Sequence, residues 1–168
     1  MQTLSTERLV IRKLTPQDAP FIFTLLNDPT WIQFIGDRQI KSAEDAVQYI
    51  QNGPAAMYKE YGVGLCLVSL KQTGKPLGLC GLIKRDYLDD FDLGFAFTKE
   101  HQGKGYGFEA AKGVLDYAQD KLHLSKIVAF TTKDNYGSAA LLKKLGMVES
   151  GTLIIPGDKE ELTLFTTL

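Results

Sequence analysis

The sequence predicts an α/β fold: one mixed, mostly antiparallel, twisted sheet of six to seven strands flanked by about four helices. Three observations predict it. Short alternating apolar runs are interleaved with stretches of helical periodicity, and their order reads βααβββαβαββ. The three central strands follow one another through short turns, as a hairpin and then a meander. No linker, repeat or low-complexity segment divides the 168 residues, so a single domain over 1–168 is expected.

Each element has its own signal. "RLVIRKL" alternates as a first strand, and "TPQDAPFIFTLLND" opens a helix with Thr15 as cap, Pro16 at the first position and Asp18 three residues after the cap. Pro20 would forfeit a backbone bond inside that helix, which pushes its start toward Pro20. "KSAEDAVQYIQN" is capped by Ser42, and Gly53-Pro54 breaks or bends it before "AAMYKEYG". "GLCLVSL" and "PLGLCGLIKR" flank the polar turn "KQTGK", and "FDLGFAFT" adds the third strand. From Tyr106 to Leu122, Ala110, Val114, Ala118 and Leu122 recur on one face, widened by Ala111 and Leu115. "KIVAFTT" returns to strand. "NYGSAALLKKLG" is a helix closed by lysines and Gly146, and strands around "MVESGTLI" and "ELTLFTTL" finish the chain.

Composition narrows the function. Hydrophobic residues make up 44% and charged residues 23%, the balance of a globular protein, and the net charge of -1 gives no electrostatic case for nucleic acid or a membrane surface. "MQTLSTERLVIRKL" has no cleavable apolar core and no run approaches a membrane span, so a cytoplasmic protein is expected. Cys66 and Cys80 lie in apolar runs and read as buried thiols. With only His101 and His123 besides, they make no metal pattern.

The chemistry is carried by "EHQGKGYGFEAAKGVLDYA". Gly103, Gly105 and Gly107 stand at a helix N-terminus, where unpaired amides and the helix dipole favour an anion such as phosphate. A tight turn with no ligand is the plainer alternative. A dinucleotide fingerprint fails, because Phe108 stands three after Gly105. A P-loop fails as well, because Pro76 and Ser69 occupy positions that need Ser or Thr and Gly. In the preceding strand Phe91, Leu93, Phe95 and Phe97 alternate with Asp92, Gly94 and Ala96, so one face is bulky and the other small. The small face leaves room for a ligand. Its lone acid, Asp92, is either a base or the solvent-edge start of the strand.

The run "QGKGYG" fits the pattern Gln/Arg-x-x-Gly-x-Gly/Ala through Gln102, Gly105 and Gly107, and with it the chain resembles the GNAT superfamily of N-acetyltransferases. The resemblance covers nearly the whole length. "TERLVIRKLTPQD" is similar to the opening of the branch that acetylates ribosomal-protein N-termini, and "NYGSAALLKKLGM" to its Asn-x-x-Ser…Lys-x-Gly-Phe segment. The resemblance implies acetyl-CoA as cofactor, without a metal. Its pyrophosphate would be held by Gln102, Gly103, Lys104, Gly105, Tyr106 and Gly107, and its pantetheine arm by the strand Gly94 to Phe97, including Phe95, Ala96 and Phe97. A backbone amide near Phe95 would polarise the thioester carbonyl.

The same resemblance assigns Asp92 as the base, acting through water at a position where relatives usually carry Glu. The Tyr that many relatives carry seven residues after the Asn is Leu142 here, so the acid implied is Ser138, with Asn135 bonding the cofactor. Simple helix capping is the alternative use of Asn135 and Ser138. Trp31 and Phe34, in the loop "NDPTWIQFIGDRQI" between the first helices, correspond to the segment that overhangs the acceptor in the family. The function implied is acetyl transfer to a primary amine, foremost a peptide or protein N-terminus, in a monomer or homodimer. A small-amine acetyltransferase and a non-catalytic acyl-CoA sensor are the alternatives.

Overall fold

The computed structural model describes every residue from Met1 to Leu168. A single eight-stranded sheet runs through it: β1 (Leu4–Ser5), β2 (Leu9–Lys13), β3 (Leu65–Leu70), β4 (Pro76–Ile83), β5 (Asp92–Phe97), β6 (Val128–Thr132), β7 (Val148–Leu153) and β8 (Leu162–Thr166). Their spatial order is β1-β2-β3-β4-β5-β6-β8-β7. Neighbours are antiparallel except β5 and β6, whose parallel pairing is reached through the crossover helix between them. Six α-helices accompany the sheet: α1 (Ala19–Leu26), α2 (Pro29–Phe34), α3 (Ala43–Asn52), α4 (Pro54–Tyr61), α5 (Tyr106–Asp120) and α6 (Tyr136–Lys144).

The class is the expected one, and the counts differ for local reasons. The eighth strand arises because Leu4–Ser5 folds back on Val10–Ile11. Helix α2 forms in the segment read as a loop, since Asp28 accepts from the Thr30 amide at 2.8 Å and Pro29 takes the first helical position. At Gly53-Pro54 the break is complete, leaving α3 and α4 as separate helices. Thr15 and Asp18 do form a capping box, but over a single 3-10 turn at Pro16–Asp18; α1 then begins at Ala19, with Pro20 in its harmless first turn. Helix α5 ends at Asp120, two residues short of the predicted end.

Strand alternation divides the core between the two faces of the sheet. Cys66, Val68, Cys80 and Leu82 pack with the α5 stripe of Ala110, Val114 and Ala118. Leu67 and Leu79 point the other way, against Ile22 and Leu25 of α1 and Ile50 of α3. Both cysteines are buried and unbridged. Burial pushes the Cys66 thiol up to about 11 and the Cys80 thiol higher still, so both stay protonated. No helix is long and apolar enough to cross a membrane.

Candidate active site

The site begins where β5 and β6 part. Only Asp92 and Val128 are paired between them, with the Val128 amide donating to Phe91 at 3.0 Å, and the strands diverge beyond that point. On its other edge β5 is fully laddered to β4, and the Thr98 amide donates to Leu77 just past the strand end. Because ladder bonds alternate, the even-numbered residues of β5 bond β4, which leaves the amides of Phe95 and Phe97 facing the gap. Unpaired strand amides beside an opening are a ready template for an extended ligand. The gap continues into a cleft of about 570 Å³ that reaches Trp31 and Phe34 of α2, Asp92, Phe95 and Ala96 of β5, and Ser138 of α6.

The glycine turn adjoins the far end of β5 and does not line that cleft. Gly103 and Gly105 have φ of +74° and +82°, the left-handed region that admits glycine freely, and Gly105 caps α5. The turn is tied down on both sides. Gln102 donates its side-chain amide to the Phe97 carbonyl at 3.0 Å. Arg8, from the segment between β1 and β2, donates to the Lys104 carbonyl at 3.0 Å and lies 4.4 Å over the Tyr106 ring. The Arg8 Nε also meets Glu109 at 2.7 Å, and that carboxylate accepts from the Arg8 amide and the Thr6 hydroxyl as well. Burial alone would raise the Glu109 carboxyl, but the bonds from Thr6 and Arg8 outweigh it and hold it below the ordinary value. A glycine turn at the N-terminus of a helix of about four turns, with the adjacent Glu109 carboxylate neutralised by Arg8, fits a diphosphate.

Asp92 is neither solvent-edge nor free. It is 2% exposed and accepts from Arg85 Nε at 2.5 Å, a pair made by the register that sets Ile83 opposite Asp92. Burial raises its carboxyl above the usual range, and the Arg85 charge opposes that rise. Asn135 caps α6 by accepting from the Ser138 amide at 3.2 Å, while the Ser138 hydroxyl makes no hydrogen bond within the protein. Capping thus uses the Ser138 backbone and leaves its side chain to the cleft. Leu142, at the position of the missing Tyr, is buried in the core at the cleft floor. Trp31 is itself buried, and its indole N–H has no partner. His101 sits buried in a 3-10 turn with its ring 2.6 Å from the Thr98 hydroxyl.

Four charged cleft residues escaped the sequence reading. Arg38 follows α2, Arg85 follows β4, and Asp158 and Glu160 come from the connection between β7 and β8. Each lies in a connection between regular elements, where no periodicity marks it; their only common signal is a charge in a loop.

A sheet with two strands splayed apart beside a helix N-terminus is a site for an extended ligand that carries an anionic group. Residues 8–148 match the family described as Acetyltransferase (GNAT) domain. The chain is 30% identical over 154 residues to the uncharacterized protein YkkB of Bacillus subtilis (strain 168), spanning 89% of this chain and 87% of that one. Among solved structures, an acetyltransferase from Agrobacterium tumefaciens str. C58 superposes with a TM-score of 0.83 at 26% identity, covering 99% of this chain and 94% of its own. RimL, a ribosomal L7/L12 alpha-N-protein acetyltransferase solved with coenzyme A, shares the fold with a TM-score of 0.84 at 13% identity, over 98% and 97% of the two chains. The chain belongs to the GNAT acetyltransferase family and is an N-acetyltransferase.

Proposed function

We propose that this chain transfers an acetyl group from acetyl-CoA to the N-terminal α-amine of a peptide or protein. The observation that carries it is the succession along β5 of an adjoining cleft, free strand amides and, past its far end, the glycine turn at the start of α5. Acetyl-CoA supplies an acyl group already activated as a thioester. The amides from Gln102 to Gly107 would hold its diphosphate, and those of Phe95 and Phe97 its extended arm. An amide near Phe95 offers the donor for a developing oxyanion, fixed in place by the ladder to β4. The Ser138 hydroxyl, unspent within the protein, is free to give a proton to a leaving group.

The state of Asp92 supports that acceptor. An α-amine has a pKa of about 8 and is roughly one-quarter to one-third neutral near pH 7.5, whereas a lysine-type amine is about a thousandth neutral. A site whose buried acid is engaged by Arg85 suits the acceptor that needs least help from a base. The opening "TERLVIRKL" and the fold shared with RimL support the same acceptor. A small cationic amine is the second reading, favoured by Asp158 and Glu160 on the cleft wall.

The test is incubation with acetyl-CoA and peptides of varied N-termini, beside polyamines, amino acids and aminoglycosides, following thiol release and acceptor mass. A product 42 Da heavier (about one acetyl group) on the peptide amine is expected. Acetylation confined to small amines would replace this reading with the second. Acetyl-CoA binding without turnover on any acceptor would favour a sensor.

A further inference from the structure

Arg85 is held much as Arg8 is, by a carboxylate at Nε and an aromatic ring, but Arg8 also donates through an Nη group to Lys104 and Arg85 lines the cleft. Its Nε is committed to the buried Asp92 carboxylate, and its guanidinium lies 5.0 Å over the Phe130 ring of β6, so two neighbours fix its plane. Its side chain keeps 26% exposure and lines the cleft; Asp92 is its one hydrogen-bond partner of full geometry, and the nearby Tyr87 hydroxyl is the neighbour that an incoming carboxylate would displace. A guanidinium held by one edge and open on the other is arranged for bidentate capture of a carboxylate.

The surroundings agree in charge and in hydrogen-bond sense. Arg38 lines the same cleft without an ion-pair partner, so Arg38 and Arg85 together exceed the one charge that Asp92 cancels. A carboxylate entering there would bring that group to neutrality, with Asp158 and Glu160 left on the β7–β8 connection for the ammonium of the incoming molecule. Trp31, on the same wall, carries a buried indole N–H with no acceptor, and an indole can only donate. The unspent groups of Arg85, Arg38 and Trp31 are all donors.

We propose that Arg85 anchors the acceptor and that the acceptor carries a carboxylate within a few bonds of the amine it presents. The proposal rests on the acetyl-transfer reading above and names its substrate class. That carboxylate has two sources: the α-carboxylate of a free amino acid, or an acidic side chain at the start of a peptide. Asp92, on this account, is a positioning residue that holds Arg85 rather than a free base.

Matched acceptors test it. Serine is compared with serinamide, a peptide beginning Ser-Glu with one beginning Ser-Gln, and spermidine serves as an amine without carboxylate. The readout is the ratio of kcat/KM within each pair. The wild type is expected to prefer the carboxylate member of one pair by about ten-fold or more, the size of a lost charge-assisted bond. Arg85→Gln should bring that ratio close to one. Arg85→Lys keeps a cation against Asp92, guards against misfolding, and should lower the ratio because the fork is gone. A purely structural role would depress both members equally and leave the ratio unchanged. A wild-type ratio near one, a ratio that survives Arg85→Lys, or spermidine as the best acceptor would overturn the proposal while acetyl transfer itself stands. No acetylation of any acceptor would overturn both.

Discussion

Asp92 is one carboxylate on which stability and selectivity both turn. Removing it as Asp92→Ala leaves the Arg85 charge partly buried without its partner, a loss expected near 3 kcal/mol in urea unfolding; this is the low end for a buried pair because Arg85 keeps some exposure. Ser138 offers the opposite case, an unbonded hydroxyl whose loss costs the fold little. Ser138→Ala should lower kcat by roughly a hundred-fold or more, the scale of one general acid, with the KM for acetyl-CoA within about two-fold of wild type. An unchanged kcat would remove Ser138 from the mechanism. The residue types Asp, Ser and Asn were legible in the sequence, but the Arg85 contact was not, because residues 85 and 92 meet only after β4 and β5 are registered.

The N-terminal hairpin and α5 act as one unit through Glu109. Its folded pKa lies below the unfolded value of about 4.3, so its bonds to Thr6 and Arg8 stabilise fully above that pH and are lost as pH falls through the lower folded value. Below about pH 4.3 the unfolding free energy of Glu109→Gln should therefore fall less steeply than that of the wild type, measured as Tm against pH. The same unit shapes the cofactor turn. Arg8→Gln frees the Lys104 carbonyl and leaves Glu109 uncompensated beside the diphosphate cradle, so the KM for acetyl-CoA should rise about ten-fold with kcat held. A KM within two-fold of wild type would show that the turn holds its shape unaided. Glycines ahead of an amphipathic helix were plain in the sequence. That Arg8 holds them was not, since nearly a hundred residues separate the two.

At the scale of the whole molecule, the proposal that acetyl-CoA seats in the gap between β5 and β6 predicts stabilisation on binding. At a hundred times Kd the ligand should add about 2.7 kcal/mol, which raises Tm by roughly 5–11 °C for a chain of this size. Amides of Phe95 and Phe97 should become protected from hydrogen exchange at the same time, while those of Gly94 and Ala96, already laddered to β4, change little. Equal protection at all four would mean that the strand is not the binding edge.

The sequence by itself determined the element types and their order, because periodicity, caps and turn residues act over a few neighbouring positions: the capped helices, the hairpin of β3 and β4, and the stripe of α5 all follow from local pattern. It also marked the glycine turn, whose left-handed positions Gly103 and Gly105 favour glycine. The short helix at Trp31 follows from a local cap at Asp28-Pro29 that is easily read as a turn, and the added strand at Leu4–Ser5 from pairing with Val10–Ile11. Only the tertiary structure set the splay of β5 from β6, the engagement of Asp92 by Arg85, and the bracing of the turn by Arg8. Each joins groups whose pairing depends on sheet register and crossover, and no local pattern encodes the distance between them.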